Sequence, residues 1–330
     1  MKFRIILLVA LWVVVFPVKA STKYEACILS TIAENEGGRT VDSVQEDCIK
    51  KSQRKKNVEL GAISKRILEE RLSQWNRFVI TPHKQNYILP FTHTSRVNRD
   101  AYEFTGDWAD ELKHFESKFQ ISLKVPLNHK DIFTNEDALY VGFTINSWWQ
   151  VYAGEISAPF RETNYQPEIF YLMPLELHPF GGNTGLVLGF EHQSNGRAQN
   201  LSRSWNRLYT SFLWEKGNTV VTFKPWFRIP EEKKKNIGDS EGDDNPDIED
   251  FMGHFELRGS YQLKDQKFAI MGRNNLRPDN KGAIEISWSF PFYGHLKGFV
   301  QYFNGYGESL VDYNVSQERI GIGILLTDIL

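Results

Sequence analysis

The sequence predicts an all-β protein, an antiparallel β-barrel that spans a membrane. Three observations favour this fold class: an N-terminal secretory signal, a long region in which apolar and polar residues alternate, and charged residues in the middle of the polar faces. The strands of a transmembrane barrel present an apolar face to lipid and a polar face to the lumen. Alternation with a period of two is therefore the pattern expected of such strands.

The first twenty residues have the features of a cleaved secretory signal. Lys2 and Arg4 precede an apolar run, which ends in the small-residue pattern VKA at positions 18–20. This order of charge, apolar core and small residues is typical of a signal peptide, with a retained membrane anchor as the alternative. We expect residues 1–20 to be removed and the mature chain to lie outside the cytoplasm.

Between the signal and the barrel we expect a small helical extension, residues 21–79, in the periplasm. Apolar residues recur at helical spacing there, with charged residues on the other side: Leu60, Ile63, Ile67, Leu68, Leu72 and Trp75. The only two cysteines of the chain, Cys27 and Cys48, favour a disulfide in an oxidising compartment. Two free buried thiols are the alternative, and a metal site would need further ligands.

After Thr81 the periodicity changes from helical spacing to strict alternation, and we expect residues 80–330 to form the barrel. In 118–125, for example, aromatic and aliphatic residues occupy the odd positions, and lysine, glutamine and serine the even ones. About twelve such segments follow one another, several of them separated by turn-forming sequences. They begin near Lys84, Glu116, Ala138, Thr163, Gly185, Arg203, Thr219, Phe251, Gln266, Lys281, His295 and Glu318.

A soluble β-sandwich is the alternative fold, because its core face is also apolar. Two features favour the barrel. Glu256, Arg258 and Glu285 stand in the middle of strands on the polar face, as a hydrogen-bonded lumen allows. Tryptophans near the strand ends match the aromatic girdles of membrane interfaces. The formal net charge of −2 argues against a nucleic-acid partner, since nucleic-acid binding requires a basic surplus.

One stretch, residues 191–206, combines residue types that suggest nucleophilic catalysis. His192 and Ser194 are two positions apart, so their side chains would share one face of a strand. A base beside a hydroxyl, with a third group such as Asn206 to orient the base, is the arrangement of an activated nucleophile. A polar strand end that runs into a loop is the alternative interpretation.

Strand alternation predicts that these three polar side chains face lipid. His192 and Ser194 continue an apolar row formed by Leu186, Leu188 and Phe190, whereas Glu191 and Gln193 belong to the lumen row. Asn206, on the next strand, is in the same row as apolar residues of that strand. Polar groups that face a bilayer are costly unless they have a function. A nucleophile near headgroup depth implies that the substrate is a lipid ester.

The motifs around these residues resemble those of the outer-membrane phospholipase A family. They occur in the family's order as NSWWQ (146–150), SAPFRETNYQP (157–167), HQSNGR (192–197), SRSWNRLYT (202–210), DDNPDI (243–248) and GYGESLVDYN (305–314). The resemblance implies a twelve-stranded barrel in the outer membrane. It also implies an enzyme with phospholipase A1, phospholipase A2 and lysophospholipase activity on membrane phospholipids.

The resemblance further implies a Ser-His-Asn triad. Ser194 would attack the ester carbonyl, and His192 would act as general base and then as general acid. Asn206 would orient the imidazole, although a neutral amide cannot stabilise the imidazolium as a carboxylate would. The backbone N–H of Gly196, with waters polarised by a bound calcium ion, would stabilise the oxyanion.

The calcium ion itself is implied by the resemblance and by no pattern of spacing. The family's ligand positions correspond to the main-chain carbonyl of Arg197, to Ser202 and to Asp244, with Ser157 supplied by a neighbouring monomer. Oxygen donors of this kind suit Ca²⁺. From the residues alone, the acidic sequence at 243–247 reads as an ordinary turn.

The family is expected to be active as a homodimer, and one position departs from its pattern. A buried glutamine that pairs across the dimer interface corresponds to Ile145 here, so that polar contact is replaced by an apolar residue. Glu308 and Asp312, in the last motif, are expected to order an extracellular loop. The functional alternatives are a structural or pore-forming barrel without catalysis and a barrel that transfers the acyl group to an acceptor other than water.

Overall fold

The computed structural model describes residues 61–73, 81–128, 131–235, 239, 241–294 and 296–328, together with Cys27, Ser30, Thr31, Val44 and Cys48. The predicted signal peptide lies outside these residues. Residues up to Asn57 form one compact unit and residues from Val58 onward form another. In the first unit a disulfide joins Cys27 and Cys48, as predicted.

The second unit is a barrel with one longer helix. Its strands are β1 Thr81–Pro82, β2 Asn86–Thr94, β3 Phe115–Pro126, β4 Ala138–Trp149, β5 Phe160–Leu175, β6 Asn183–Ser194, β7 Ser204–Lys216, β8 Thr219–Ile229, β9 Phe255–Leu263, β10 Gln266–Asn274, β11 Gly282–Tyr293, β12 Leu296–Gly305 and β13 Gln317–Thr327. Its α-helices are α1 Ala62–Ser73, α2 Asp107–Asp110 and α3 Ile248–Met252. Single 3-10 segments span Asp100–Thr105, Gly154–Ile156, Pro179–Gly181 and Gln199–Leu201.

The strands close into a twelve-stranded antiparallel barrel, which confirms the predicted fold. Each of the strands β2 to β13 pairs with its neighbours in sequence, and β13 pairs with β2 to complete the ring. The two-residue β1 pairs only with β3, as Thr81 opposite Lys124, beside the start of β2. It therefore adds no member to the ring. Among the described residues, no helix has the length and apolar run that crossing a membrane would require.

One predicted strand start is wrong. Phe251, expected at the beginning of a strand, lies in helix α3, and strand β9 starts at Phe255. The helix ends at Met252 and is followed by Gly253, whose positive φ of +69° is one that glycine adopts readily. Local helix formation before this glycine displaces the strand start by four residues.

Alternation along the strands separates a lipid-facing surface from a polar lumen, as predicted. On β6, Leu188 and Phe190 are 43% and 38% exposed, whereas the intervening lumen row includes the fully buried Glu191. Leu208 and Phe212 on β7 are exposed by 50% and 49%. The exposed apolar side chains form the outer surface because lipid, and not a protein core, covers them.

Ion pairs fill the lumen near the end with the long loops. The guanidinium of Arg161 contacts Glu116 at 3.0 Å and Asp312 at 2.8 Å, and all three side chains are buried. Glu308 pairs with Lys118 at 2.9 Å and with Arg319 at 2.7 Å. Glu308 and Asp312 thus attach the β12–β13 loop to the barrel wall, which agrees with their predicted ordering role.

Helix α1 lies at the opposite end of the lumen. The backbone N–H of Ile63 donates to the Glu215 carboxylate on β7 at 2.8 Å, so this carboxylate satisfies one of the free N–H groups of the first helical turn. Glu70 pairs with Lys124 on β3 at 2.7 Å. Helix α1 is thereby part of the same compact unit as the strands. The predicted division between residues 79 and 80 stays a prediction.

The two ends of the barrel differ in the length of their connections. At the end occupied by helix α1, residues 217–218 and 264–265 are two-residue turns. At the other end the connections are long, including 195–203, 230–254 and 306–316. Outer-membrane barrels have short periplasmic turns and long extracellular loops. The long-loop end is therefore assigned as extracellular.

Candidate active site

The predicted triad residues lie together at the extracellular end of strands β6 and β7. His192 is directly opposite Asn206 in the antiparallel register, and Ser194, the last residue of β6, is opposite Ser204. His192 and Ser194 follow Leu188 and Phe190 on the lipid-facing row, since all four are separated by steps of two. The side chains of His192 and Ser194 are each half-buried.

The imidazole and the amide are in direct contact. His192 Nδ1 and Asn206 Oδ1 are 2.9 Å apart, and Asn206 Nδ2 donates to Glu231 Oε1, also at 2.9 Å. Because an amide oxygen can only accept, Nδ1 of His192 carries the proton. The other ring nitrogen, Nε2, then has the lone pair that could accept a proton from a hydroxyl.

Ser194 is placed beside this pair by the strand. Among the contacts between described residues, no hydrogen bond joins its hydroxyl to the His192 ring. Catalytic hydrogen bonds are often long in the absence of substrate and shorten in the reactive complex. Ser194 and His192 are thus related by their positions in the same row on one face of β6.

Gly196 follows in the exposed loop between β6 and β7. Its φ is +62°, and a Cβ there would lie 3.3 Å from the Tyr165 ring, so both backbone conformation and space favour glycine. The Asn195 side chain holds the loop closed, because its Nδ2 donates to the Leu201 carbonyl at 2.7 Å and its Oδ1 accepts from the Arg203 N–H at 3.0 Å. This loop presents the Gly196 backbone next to Ser194.

Two of the four predicted calcium ligands contact each other. The Ser202 hydroxyl donates to Asp244 Oδ2 at 2.8 Å, and the Ser204 hydroxyl approaches the same oxygen at 3.3 Å. Arg197 lies in the same β6–β7 loop, and Ser157 is exposed in the β4–β5 loop with a φ of +63°.

The chemistry of these donors fits Ca²⁺, which binds carboxylate, hydroxyl and carbonyl oxygens. Within the described residues, no group of three or more His, Cys, Asp or Glu side chains is arranged to hold a metal ion. A site here would thus depend on Ser202, the Arg197 carbonyl and the single carboxylate of Asp244. Lys234 forms an ion pair with that carboxylate. A cation that binds Asp244 therefore has to displace the Lys234 ammonium group or share the carboxylate with it.

The acidic turn around Asp244 is fixed by its neighbours. Asp243 pairs with Arg228 at 2.6 Å, and Asn245 Oδ1 accepts the Ser204 N–H at 3.0 Å. Asp247 accepts a hydrogen bond of 2.5 Å from the Tyr313 hydroxyl. Burial raises the pKa of Tyr313, and the bond to Asp247 adds to the rise. These contacts hold the turn against the β6–β7 loop.

Two residues at the site, Glu231 and Lys234, were not predicted from the sequence. Both belong to the β8–β9 connection, where a run of charged residues has no periodicity. Their positions beside Asn206 and Asp244 arise from the path of this connection. No residue spacing in the sequence indicates that path.

Comparisons with known proteins identify close similarities over the barrel. A family model described as Phospholipase A1 matches residues 63–326. The Phospholipase A1 of Escherichia coli strain K12 is 38% identical over 271 residues, which are 82% of this chain and 88% of that protein.

Two solved structures share the architecture. Outer membrane phospholipase A from Escherichia coli superimposes with a TM-score of 0.72 at 37% identity, over 80% of this chain and 98% of that chain. The Salmonella typhi outer membrane phospholipase, a dimer with bound calcium, gives the same TM-score, identity and coverage.

Proposed function

Because the chain belongs to the Phospholipase A1 family and is an outer-membrane phospholipase, we propose that Ser194, His192 and Asn206 form its catalytic triad. The observation that carries the proposal is the 2.9 Å contact between His192 and Asn206 on the lipid-facing row that ends in Ser194. The substrate would be the acyl ester of a phospholipid or lysophospholipid in the outer leaflet. An ester at headgroup depth can reach this row without leaving the bilayer.

In the first step Ser194 Oγ attacks the ester carbonyl and its proton passes to His192 Nε2. The carbonyl oxygen becomes an oxyanion, which the Gly196 N–H stabilises. Collapse of this intermediate breaks the ester bond, and the alcohol leaves with the proton from His192. Water then attacks the acyl-enzyme through the same base, which releases the fatty acid and restores Ser194.

Asn206 keeps the imidazole in the productive tautomer. Its Oδ1 accepts the Nδ1 proton, so Nε2 is directed away from Asn206 and is available as a base. An aspartate in this position would also stabilise the imidazolium by charge. Asn206 has no charge of its own and contributes orientation.

We also propose that Ca²⁺ binds to Asp244, Ser202 and the Arg197 carbonyl, with Ser157 of a second copy of the chain. The ion would polarise the waters that complete the oxyanion site. The carboxylate contact of Ser202 and the fixed turn around Asp244 support this site. Calcium must compete there with the ammonium group of Lys234.

Phospholipid hydrolysis in detergent micelles, measured with excess calcium and then with a chelator, tests the proposed function. We expect chelation to lower the rate by roughly 100-fold, since a Lewis-acid metal contributes several kcal/mol to transition-state stabilisation. Asp244→Asn should require more calcium for the same rate, whereas Asp279→Asn, in the β10–β11 loop, should respond like the wild type. An unchanged rate in chelator would exclude the calcium role.

We further propose that the active form is a homodimer. Ser157 is exposed at the extracellular rim, and the strand below it presents Ile145 between Ile121 and Tyr165, both exposed to lipid. Apolar packing at Ile145 would replace the polar contact that the family has at this position. Dimer formation would bring Ser157 of one copy to the site of the other and would keep isolated monomers inactive.

A larger side chain at Ile145, on the outer surface, tests the dimer. Ile145→Trp adds apolar bulk and is expected to lower activity and crosslinking together by about tenfold, since overpacking a contact costs ~1–3 kcal/mol. Ile270→Trp, on β10 and also exposed to lipid, is the matched control and should leave both unchanged. Equal rates per chain for crosslinked dimers and dilute monomers would disprove the proposal.

The lumen argues against a passive pore. Arg161, Glu116 and Asp312 occupy it near one end, and helix α1 is attached to lumen-facing residues at the other. A pore requires a continuous water-filled path, which these contacts oppose. Hydrolysis is the function that the described residues favour.

A further inference from the structure

We propose that Glu231 is a positioning residue for the catalytic triad, acting through Asn206. The proposal rests on the proposed function of Ser194, His192 and Asn206. The observation is a continuous line of three side chains, in which His192 Nδ1 contacts Asn206 Oδ1 and Asn206 Nδ2 contacts Glu231 Oε1, each at 2.9 Å. The triad is thereby extended by a carboxylate at its far end.

The position of Glu231 follows from the strand register. Asn206 on β7 is paired with Ile229, the last residue of β8, and Glu231 comes two residues later. The half-buried Glu231 thus leaves the sheet beside the amide that it contacts. Pro230, between Ile229 and Glu231, has a fixed φ and limits the directions that the chain can take there.

The segment that carries Glu231 is anchored on its other side. The Asp243 N–H donates to the Glu232 carbonyl at 2.7 Å, and Lys233 forms a parallel bridge with Asp243. Asp243 is itself paired with Arg228, at the end of β8. These contacts tie the start of the β8–β9 connection, through Asp243, to the end of β8, so Glu231 is held beside the triad.

Glu231 fixes which end of the Asn206 amide faces His192. The two ends of an amide have almost the same shape, and a reversed Asn206 would present its NH₂ group to the Nδ1 proton of His192. An ionised carboxylate has no proton to donate, so it can bind only the NH₂ end. Glu231 therefore determines that the amide oxygen faces His192, and this in turn fixes the imidazole tautomer.

The charge of Glu231 has a second effect. When His192 takes the serine proton, a positive charge forms at one end of the line while a negative charge stands at the other. Hydrogen bonds in such a line polarise one another. The Asn206 amide therefore transmits part of the electrostatic stabilisation from the Glu231 carboxylate to the imidazolium. Glu231 then supplies at a distance the stabilisation that Asn206, being neutral, lacks.

A double-mutant cycle tests this role with phospholipid in mixed micelles and calcium. Glu231→Ala is expected to lower kcat by about 10- to 100-fold, by analogy with the loss of an outer-shell partner that orients a metal ligand. KM should stay within about twofold, because the effect is on the transition state. Glu231→Gln, which keeps an acceptor but loses the charge and the orientation preference, should fall between Glu231→Ala and the wild type.

The decisive measurement is the same substitution in an Asn206→Ala background. If Glu231 acts through Asn206, Glu231→Ala should change the residual kcat there by less than about twofold. A full 10- to 100-fold loss in both backgrounds, or no loss in the wild type, would overturn the proposal. Glu232→Ala, whose exposed side chain is adjacent on the same segment, is the matched control and should match the wild type.

Two further measurements distinguish a failure of the Glu231 proposal from a failure of the proposed triad. Each variant is first checked for the gel-mobility difference between heated and unheated samples, which reports a folded barrel. The wild type and Ser194→Ala are measured in the same assay. An active Ser194→Ala protein would refute the proposed triad, whereas an inactive one with an unaffected Glu231→Ala protein refutes only the role of Glu231.

Discussion

Ser194→Ala should abolish ester hydrolysis while the protein remains a folded barrel. Without the hydroxyl no acyl-enzyme can form, and loss of the nucleophile in such triads costs about 10⁶-fold in kcat. The folded state should be unaffected, because Ser194 is half-buried at the strand end and its side chain makes no hydrogen bond within the described part of the chain. The measurement is fatty-acid release from phospholipid, with binding of the lipid determined separately.

The matched control is Ser316→Ala, a serine exposed in the β12–β13 loop at the same end of the barrel. This variant should hydrolyse lipid at the wild-type rate. A folded Ser194→Ala protein that kept even a tenth of the wild-type rate would require another nucleophile. An activated water, for example, would be insensitive to this substitution.

Arg161→Met is expected to destabilise the barrel by about 3–5 kcal/mol, the usual cost of removing one partner from a buried ion pair. Arg161 is almost fully buried between Glu116 on β3 and Asp312 in the β12–β13 loop. Its removal leaves the Asp312 carboxylate buried without this counter-charge. Methionine keeps the length and most of the volume of the side chain, so the loss reports the charge and its hydrogen bonds.

Urea unfolding of the protein in lipid or detergent measures this effect as a shift of the midpoint at constant slope. Arg277→Met is the matched control, because Arg277 pairs with Asp250 where both side chains are 46% and 41% exposed. An exposed pair of this kind contributes about 0–1 kcal/mol. Equal midpoint shifts for the two arginine variants would show that the buried lumen pair stabilises the barrel no more than the exposed pair does.

The parts of the fold that depend on alternation could be predicted from the sequence. The row that contains Leu188, Phe190, His192 and Ser194 is defined by steps of two, and a strand converts those steps into one surface. The pairing of His192 with Asn206 follows from the antiparallel register of the adjacent strands β6 and β7. Phe251 was not placed correctly, since a short helix before Gly253 interrupts the alternation there.

The parts that depend on loop path could not be predicted. Glu231 and Asn206 are far apart in sequence, and their contact needs both the β7–β8 register and the anchoring of Glu232 by Asp243. Similarly, the ion pair of Lys234 with Asp244 joins two separate parts of a long connection. Loops lack a repeating pattern, so their contacts are set by side chains that meet only in the folded protein.

The attachment of helix α1 joins the beginning of the barrel sequence to its end. Its partners Glu215 and Lys124 stand on β7 and β3, and Arg66 also donates to the carbonyl of Asp328, just after β13. The closed ring, in which β13 pairs with β2, brings these groups to the same end of the lumen. Helix α1 precedes every described strand, yet one of its partners, Asp328, follows the last strand. We therefore expect helix α1 to dock only on closed barrels, and a protease that cuts within 62–73 would distinguish them from open precursors.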